Sequence, residues 1–298
     1  RKEGSTEYYE SLESAQEFIT KEFYEKHCDK EQEPVVCCVG HTHIDCAWLW
    51  TLKVTEDKSV RSFSTVLNLM KEYPEYIFMS SQPQLYKYVK KNAPQVYEQI
   101  KERVKEGRWE TEGGMFVEAD CNLASGEALV RQFMHGKKFF KDEFETDNKI
   151  LWLPDVFGYS AALPQIMQKC GIPYFMTTKI SWNELNKMPY DTFEWEGIDG
   201  SRVLTHFIPT RDYNKAAVEG GTETEHFTTY NGFLNPSQMK GGWARYSQKE
   251  LNEEVLCSFG FGDGGGGPTK EQLENQRRMS QGIPGCPRTK MSTALDFF

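Results

Sequence analysis

Short apolar runs of β-compatible residues alternate with amphipathic helical patterns along most of this chain, and that alternation leaves few folds open. Runs at 35–39, 76–79, 109–112, 150–153, 174–177, 192–195, 203–207 and 255–260 read as strands. Between them, apolar residues recur at helical spacing in 59–73, 83–91, 94–106, 126–145 and 163–169, with Pro74 and Gly107 acting as stops. Strands that take turns with helices build a mainly parallel sheet, open or closed, and its ligand site gathers at the carboxyl ends of the strands. At 298 residues the chain has room for one large α/β domain or two smaller ones.

Polar residues collect at those strand ends. The run Val35 to Val39 begins after Pro34, stops near Gly40, and is followed at once by His41-Thr42-His43-Ile44-Asp45. If the backbone stays extended there, positions 41, 43 and 45 point to one side and their imidazoles and carboxylate converge. His43 and Asp45 are therefore candidate metal ligands, and His41 is either a third ligand or a support for the others. Zinc fits such nitrogen and oxygen donors, with cobalt or another divalent ion also open. Trp48 supplies an aromatic face nearby. Gln82, Glu118, Asp120 and Asn122 follow the second and third strands, Lys179 and Asn183 the fifth, and Arg211 and Asp212 come after 203–207.

Two further carboxylates stand out. Asp155, in Trp152-Leu153-Pro154-Asp155-Val156-Phe157-Gly158-Tyr159-Ser160, is placed to be a nucleophile or a metal ligand, although an Asp in such a place also caps helices. Asp263, in Gly262-Asp263-Gly264-Gly265-Gly266-Gly267-Pro268-Thr269, is either a general acid or a turn residue. Four consecutive glycines weaken a fold unless the backbone must approach a ligand or take positive φ. Paired carboxylates beside an aromatic platform fit glycosidic bond cleavage.

The formal charge of −9 and the lack of clustered Lys and Arg argue against a nucleic-acid partner. Eight scattered cysteines without CxxC spacing read as reduced thiols, and so as a cytoplasmic protein. No apolar run approaches the ~18 residues of a membrane span, and Arg1-Lys2-Glu3-Gly4 opens no signal peptide. Residues 5 to about 29 form an amphipathic helix, so 1–33 are expected to belong to a preceding region and 34–298 to the α/β domain. The polar, Gly-rich region 211–254 reads as an insertion over the site. A start at Arg1 and an end at Leu295-Asp296-Phe297-Phe298, inside an apparent helix, are expected of a piece of a longer protein.

Four motifs, in order, carry a resemblance to a known family: His41 to Trp50, Trp152 to Ile166, Trp195 to Ser201 and Gly260 to Thr269. Together they resemble glycoside hydrolase family 38, the retaining α-mannosidases, and most of all its cytosolic and bacterial branch. The resemblance implies an α/β fold, a seven-stranded parallel-rich β/α barrel truncated at the carboxyl terminus, with the helical bundle and carboxyl-terminal β domains missing. It implies zinc held by His43, Asp45 and Asp155, with Asp155 also the nucleophile, and mannose-containing oligosaccharides as substrates. Trp48 and Phe157 match aromatic positions of the sugar subsite, and Lys179 and Arg211 are taken as further substrate contacts. Asp263 falls where the acid/base carboxylate is kept, with Asp212 a competitor. The family's further zinc-binding His has no counterpart after Asp263, so a fourth ligand is expected beyond residue 298 and the chain alone is expected to bind zinc weakly and to be inactive. Self-association is left open. The rivals are a metal hydrolase of amidohydrolase type, for which only His206 is a further ligand candidate, and an inactive carbohydrate-binding homologue.

Overall fold

A computed structural model describes residues 2–183, 185–186, 188–210 and 228–298. Arg211 and Asp212 lie outside the described residues. Nine strands are described: β1 Val35–His41, β2 Phe78–Met79, β3 Trp109–Glu110, β4 Ile150–Trp152, β5 Tyr174–Thr177, β6 Thr192–Glu196, β7 Arg202–Phe207, β8 Glu254–Phe259 and β9 Arg288–Met291. They form two sheets, one in the order β3-β2-β1-β8 with β9 also on β1, the other in the order β4-β5-β7-β6. Every pairing is parallel except β6 with β7. The expected α/β architecture with parallel-rich sheets is what the chain adopts.

Strand β1 is the axis of the first sheet. All seven of its residues are buried, as a parallel strand covered on both faces requires. Val36 and Cys38 pack with Phe63, Val66, Leu67 and Met70 of the helix Leu52–Glu72, whereas Cys37 and Val39 face the other way, onto Met79, Trp152, Met176 and Leu256. One edge of β1 carries β8 along residues 35 to 40; the other is shared, β9 taking 35 to 38 and β2 taking Gly40 and His41.

The expected seven-stranded barrel is not closed by strand pairing among the described residues. β2 and β3 are only two residues each, and on that side the two sheets are linked by isolated bridges, Gly113 to Leu151 and, past the strand ends, Cys121 to Tyr159. From β7 toward β8 the described links are a Thr228 N–H to Thr210 carbonyl hydrogen bond at 3.3 Å and a Gly232–Phe259 bridge.

The amino-terminal helical arm, Thr6–Ile19 continued by a π turn at Thr20–Tyr24 and by Glu25–His27, buries none of its residues. The helix expected at 59–73 starts earlier, at Leu52, after Thr51 in extended conformation. In the region read as an insertion, Pro236–Arg245 is a helix with Asn235 accepting at its N-cap from Gln238 N–H.

Candidate active site

The site stands at the carboxyl ends of β1, β4 and β8, where a parallel sheet leaves backbone and side chains free to meet a ligand. After β1 the chain stays extended long enough for Ile44 to bridge Gly264 of the glycine-rich loop. That loop folds back on itself, with Phe261 N–H donating to the Gly267 carbonyl at 3.0 Å and Gly267 N–H returning to Phe261 at 2.7 Å. The helix Leu52–Glu72 fixes its tip: Lys58 Nζ and Arg61 Nη2 donate to the Gly264 carbonyl at 3.3 and 2.8 Å, and Ser62 donates to that of Gly265. Asp263, at φ 56°, is held by this frame in the left-handed region.

His43 is the centre of the cluster. Its Nδ1 lies 2.8 Å from Glu118 Oε2, and its Nε2 lies 3.0 Å from Asp45 Oδ1 and 3.6 Å from Asp155 Oδ2. Burial alone would lower its pKa; the charges and hydrogen bonds of Glu118 and Asp45 outweigh burial and raise it to about 10. Ligand atoms of His43, Asp45 and Asp263 all lie within 4.8 Å of one another. Imidazole nitrogen and carboxylate oxygen so close together are a donor set that fits a divalent ion such as zinc. The structure therefore brings His43 and Asp45 together with Asp263, and sets Asp155 Oδ2 3.6 Å from His43 Nε2 but outside that close group of ligand atoms.

Asp155 is positioned from β4 and β5. Leu153 N–H donates to the Met176 carbonyl at 3.1 Å, and Thr178 Oγ1 donates to the Pro154 carbonyl at 2.7 Å. Lys179 Nζ donates to Asp155 Oδ1, and the same ammonium lies 4.3 Å from the ring centroids of both Phe157 and Trp182. Phe157 is 76% exposed and Trp48 61%, so both faces are open to a ligand. Trp48 stands edge-on to Trp50, centroids 5.6 Å apart.

Two neighbours were not singled out as site residues by sequence. Tyr230 donates its hydroxyl to Asp263 Oδ1 at 2.7 Å and lies edge-on to His43, centroids 5.4 Å apart. Burial, then the bond to Asp263 and the charge of Asp155, push the phenol pKa far up, so it stays a donor. Its only signal was an aromatic residue in a polar stretch. Glu118 was visible as a charged residue past the third strand, with nothing to link it to His43.

His41 is not in the cluster. It is buried, its Nδ1 lies 3.0 Å from the Met79 carbonyl, its ring meets Trp152 edge-on, and burial lowers its pKa to about 4. His206, the further ligand an amidohydrolase-type site would need, is buried in β7 between Thr192 and Phe297, outside the cluster around His43.

Among curated proteins, this chain is similar to alpha-mannosidase G of Dictyostelium discoideum, 43% identical over 95% of this chain and 24% of that protein. It is also 43% identical to human alpha-mannosidase 2C1, over 94% of this chain and 25% of the relative. The chain thus spans about a quarter of the length of these relatives. Among solved structures, an alpha-mannosidase from Enterococcus faecalis V583 shares the fold, with a TM-score of 0.64 at 18% identity over 89% of this chain and 29% of that one. Residues 33–298 match the model of the glycosyl hydrolases family 38 N-terminal domain, and the chain belongs to that family.

Proposed function

We propose that this chain carries the catalytic centre of a retaining α-mannosidase acting on terminal α-mannosides of mannose-containing oligosaccharides. The observation that carries this reading is the meeting of His43, Asp45, Asp155 and Asp263 at one rim, beside exposed aromatic faces. In this reading Asp155 attacks the anomeric carbon while Asp263 protonates the leaving oxygen. Water then releases the sugar from Asp155 with Asp263 as base, and two inversions give net retention. Asp212 remains the competing acid/base.

Lys179 opposes the charge of Asp155 and fixes the direction of its Oδ1. Tyr230 does the same for Asp263 through Oδ1, which leaves Oδ2 for the proton. Trp48 and Phe157 offer flat apolar faces to a sugar ring, with Lys179 and Arg211 as polar contacts. His43 and Asp45, with Asp155 as third ligand, would hold zinc or cobalt, and the bound ion would orient the sugar hydroxyls and offset charge at the attacked ring.

A seven-stranded barrel is the architecture proposed around this centre. The bridges Gly113–Leu151 and Gly232–Phe259 and the Thr228–Thr210 hydrogen bond support it, since they continue the two sheets toward each other on both sides. All eight cysteines are free, which supports a reducing, cytoplasmic setting; no helix of the described residues is long and apolar enough to cross a membrane.

The test is hydrolysis of an aryl α-mannoside by the full-length protein, with and without a chelator, beside Asp155→Asn. Release of α-mannose as the first product, lost with the chelator and in the variant, is the expected result. Turnover unchanged by Asp155→Asn, or a β-configured first product, would refute the mechanism.

A further inference from the structure

We propose that Glu118 is a positioning residue for the metal site, holding the His43 ring so that Nε2 faces the ion. This rests on the metal reading above. A carboxylate can only accept, so the 2.8 Å contact between His43 Nδ1 and Glu118 Oε2 puts a proton on Nδ1. With the Nδ1 proton kept toward Glu118, Nε2 is the nitrogen from which a metal would displace a proton, now shared with Asp45 at 3.0 Å, and it faces both Asp45 and Asp155.

Glu118 is itself tightly held. Ser81 Oγ donates to its Oε1 at 2.6 Å, so both carboxylate oxygens are engaged, and its side chain is only 5% exposed. Its backbone N–H donates to Gln82 Oε1 at 3.2 Å, and Gln82 Nε2 donates to the Ile44 carbonyl at 2.9 Å. Ile44 is the residue after His43. The chain of bonds therefore runs from the His43 side chain through Glu118 and Gln82 back to the backbone beside His43, joining the exits of β1 and β2 to the segment after β3.

The same geometry argues against Glu118 as a ligand. It approaches the ring nitrogen opposite the one facing Asp45 and Asp155. Its effect is transmitted through His43. A fixed negative charge on the Nδ1 side also makes Nε2 a stronger donor.

Zinc and cobalt titrations of the full-length protein, by calorimetry and by the visible spectrum of cobalt, test this with Glu118→Ala, Glu118→Gln and Ser81→Ala. Glu118→Ala is expected to weaken metal binding about 10- to 100-fold. Glu118→Gln, whose amide oxygen can still accept from Nδ1–H, is expected to lose less, and Ser81→Ala least. The cobalt band is expected to change in the Ala variant. Thermal unfolding in chelator separates this from simple loss of fold, since Glu118→Gln keeps the shape and its melting temperature should stay near that of the wild type. Equal affinity and an unchanged cobalt spectrum in Glu118→Ala and Glu118→Gln would overturn the positioning role. A wild-type protein that binds neither ion would instead overturn the metal reading, and the role of Glu118 with it.

Discussion

The backbone N–H of Asp45 donates to the carbonyl of Asp263 at 3.2 Å, which ties the exit of β1 to the glycine-rich loop after β8. No side chain takes part in that bond. The backbones that carry the two carboxylates are therefore joined independently of their side chains.

Gly265 is the sharpest test of that frame. It has φ +75°, and a Cβ placed on it would lie 2.7 Å from Ser62 Oγ and 2.9 Å from Ile44 Cδ1. Gly265→Ala should cost about 1–3 kcal/mol through the left-handed backbone and the displaced neighbours. Urea unfolding monitored by fluorescence checks this, and an unchanged midpoint would show that the loop is not held as described.

Lys179 and Asp155 form an ion pair whose side chains are 8% and 14% exposed. Removing one partner of such a pair leaves a charge without its counterion in a poorly solvated place. Lys179→Met should therefore destabilise the chain by about 3 kcal/mol in the presence of chelator. Asp155→Asn added to it should recover part of that loss, giving a coupling energy in a double-mutant cycle. Additive effects of the two substitutions would mean that the pair contributes nothing to stability.

Much of this arrangement was legible in sequence, for reasons that differ by element. Strand β1 is buried on both faces, so it appears as an unbroken apolar run, and the period-two spacing of His43 and Asp45 survives because the backbone stays extended to the Ile44–Gly264 bridge. The same rule misplaces His41, which still belongs to the strand and turns into the protein. Strand β9, Arg-Thr-Lys-Met, was missed because Met291 is its one apolar residue and it is specified by its partner β1. The start of the helix at Leu52 was missed because its first two turns are exposed or polar where periodicity is read. Glu118 and Tyr230 could not be assigned at all: their roles depend on which strand ends meet, a property of the sheet order and not of local spacing.

Stability should fall with rising pH through Glu110. Burial raises its pKa, the N–H groups of Ala294 and Leu295 at 2.7 and 2.9 Å oppose that, the charges of Glu112 and Asp296 add to it, and the result is about 8. An unfolded Glu titrates near 4.5. Between these values the folded chain holds a proton that the unfolded chain has lost, so this contribution is full below about pH 4.5 and disappears as pH rises through about 8. Glu112, raised to about 7 by burial, acts in the same direction. Glu110→Gln, which cannot ionise, should flatten the decline between pH 5 and 8 in unfolding midpoints, to about the extent of one titrating group. An identical pH slope in the variant would show that Glu110 is ionised in the folded chain at neutral pH.

Metal affinity should separate the two carboxylates that flank His43. Asp155 keeps Oδ1 for Lys179 and turns Oδ2 toward His43 Nε2 at 3.6 Å, while Asp263 gives Oδ1 to Tyr230 although its ligand atom also falls within the 4.8 Å group. If Asp155 is the third ligand and Asp263 the acid/base, Asp155→Asn removes a charged donor from the ion itself and Asp263→Asn removes a neighbour. Zinc calorimetry should then show a loss on the order of 100-fold or more for Asp155→Asn, and about tenfold for Asp263→Asn, the size expected of a group outside the coordination sphere. The reverse order would make Asp263 the ligand and free Asp155 from the metal, and it would move the acid/base assignment to Asp212.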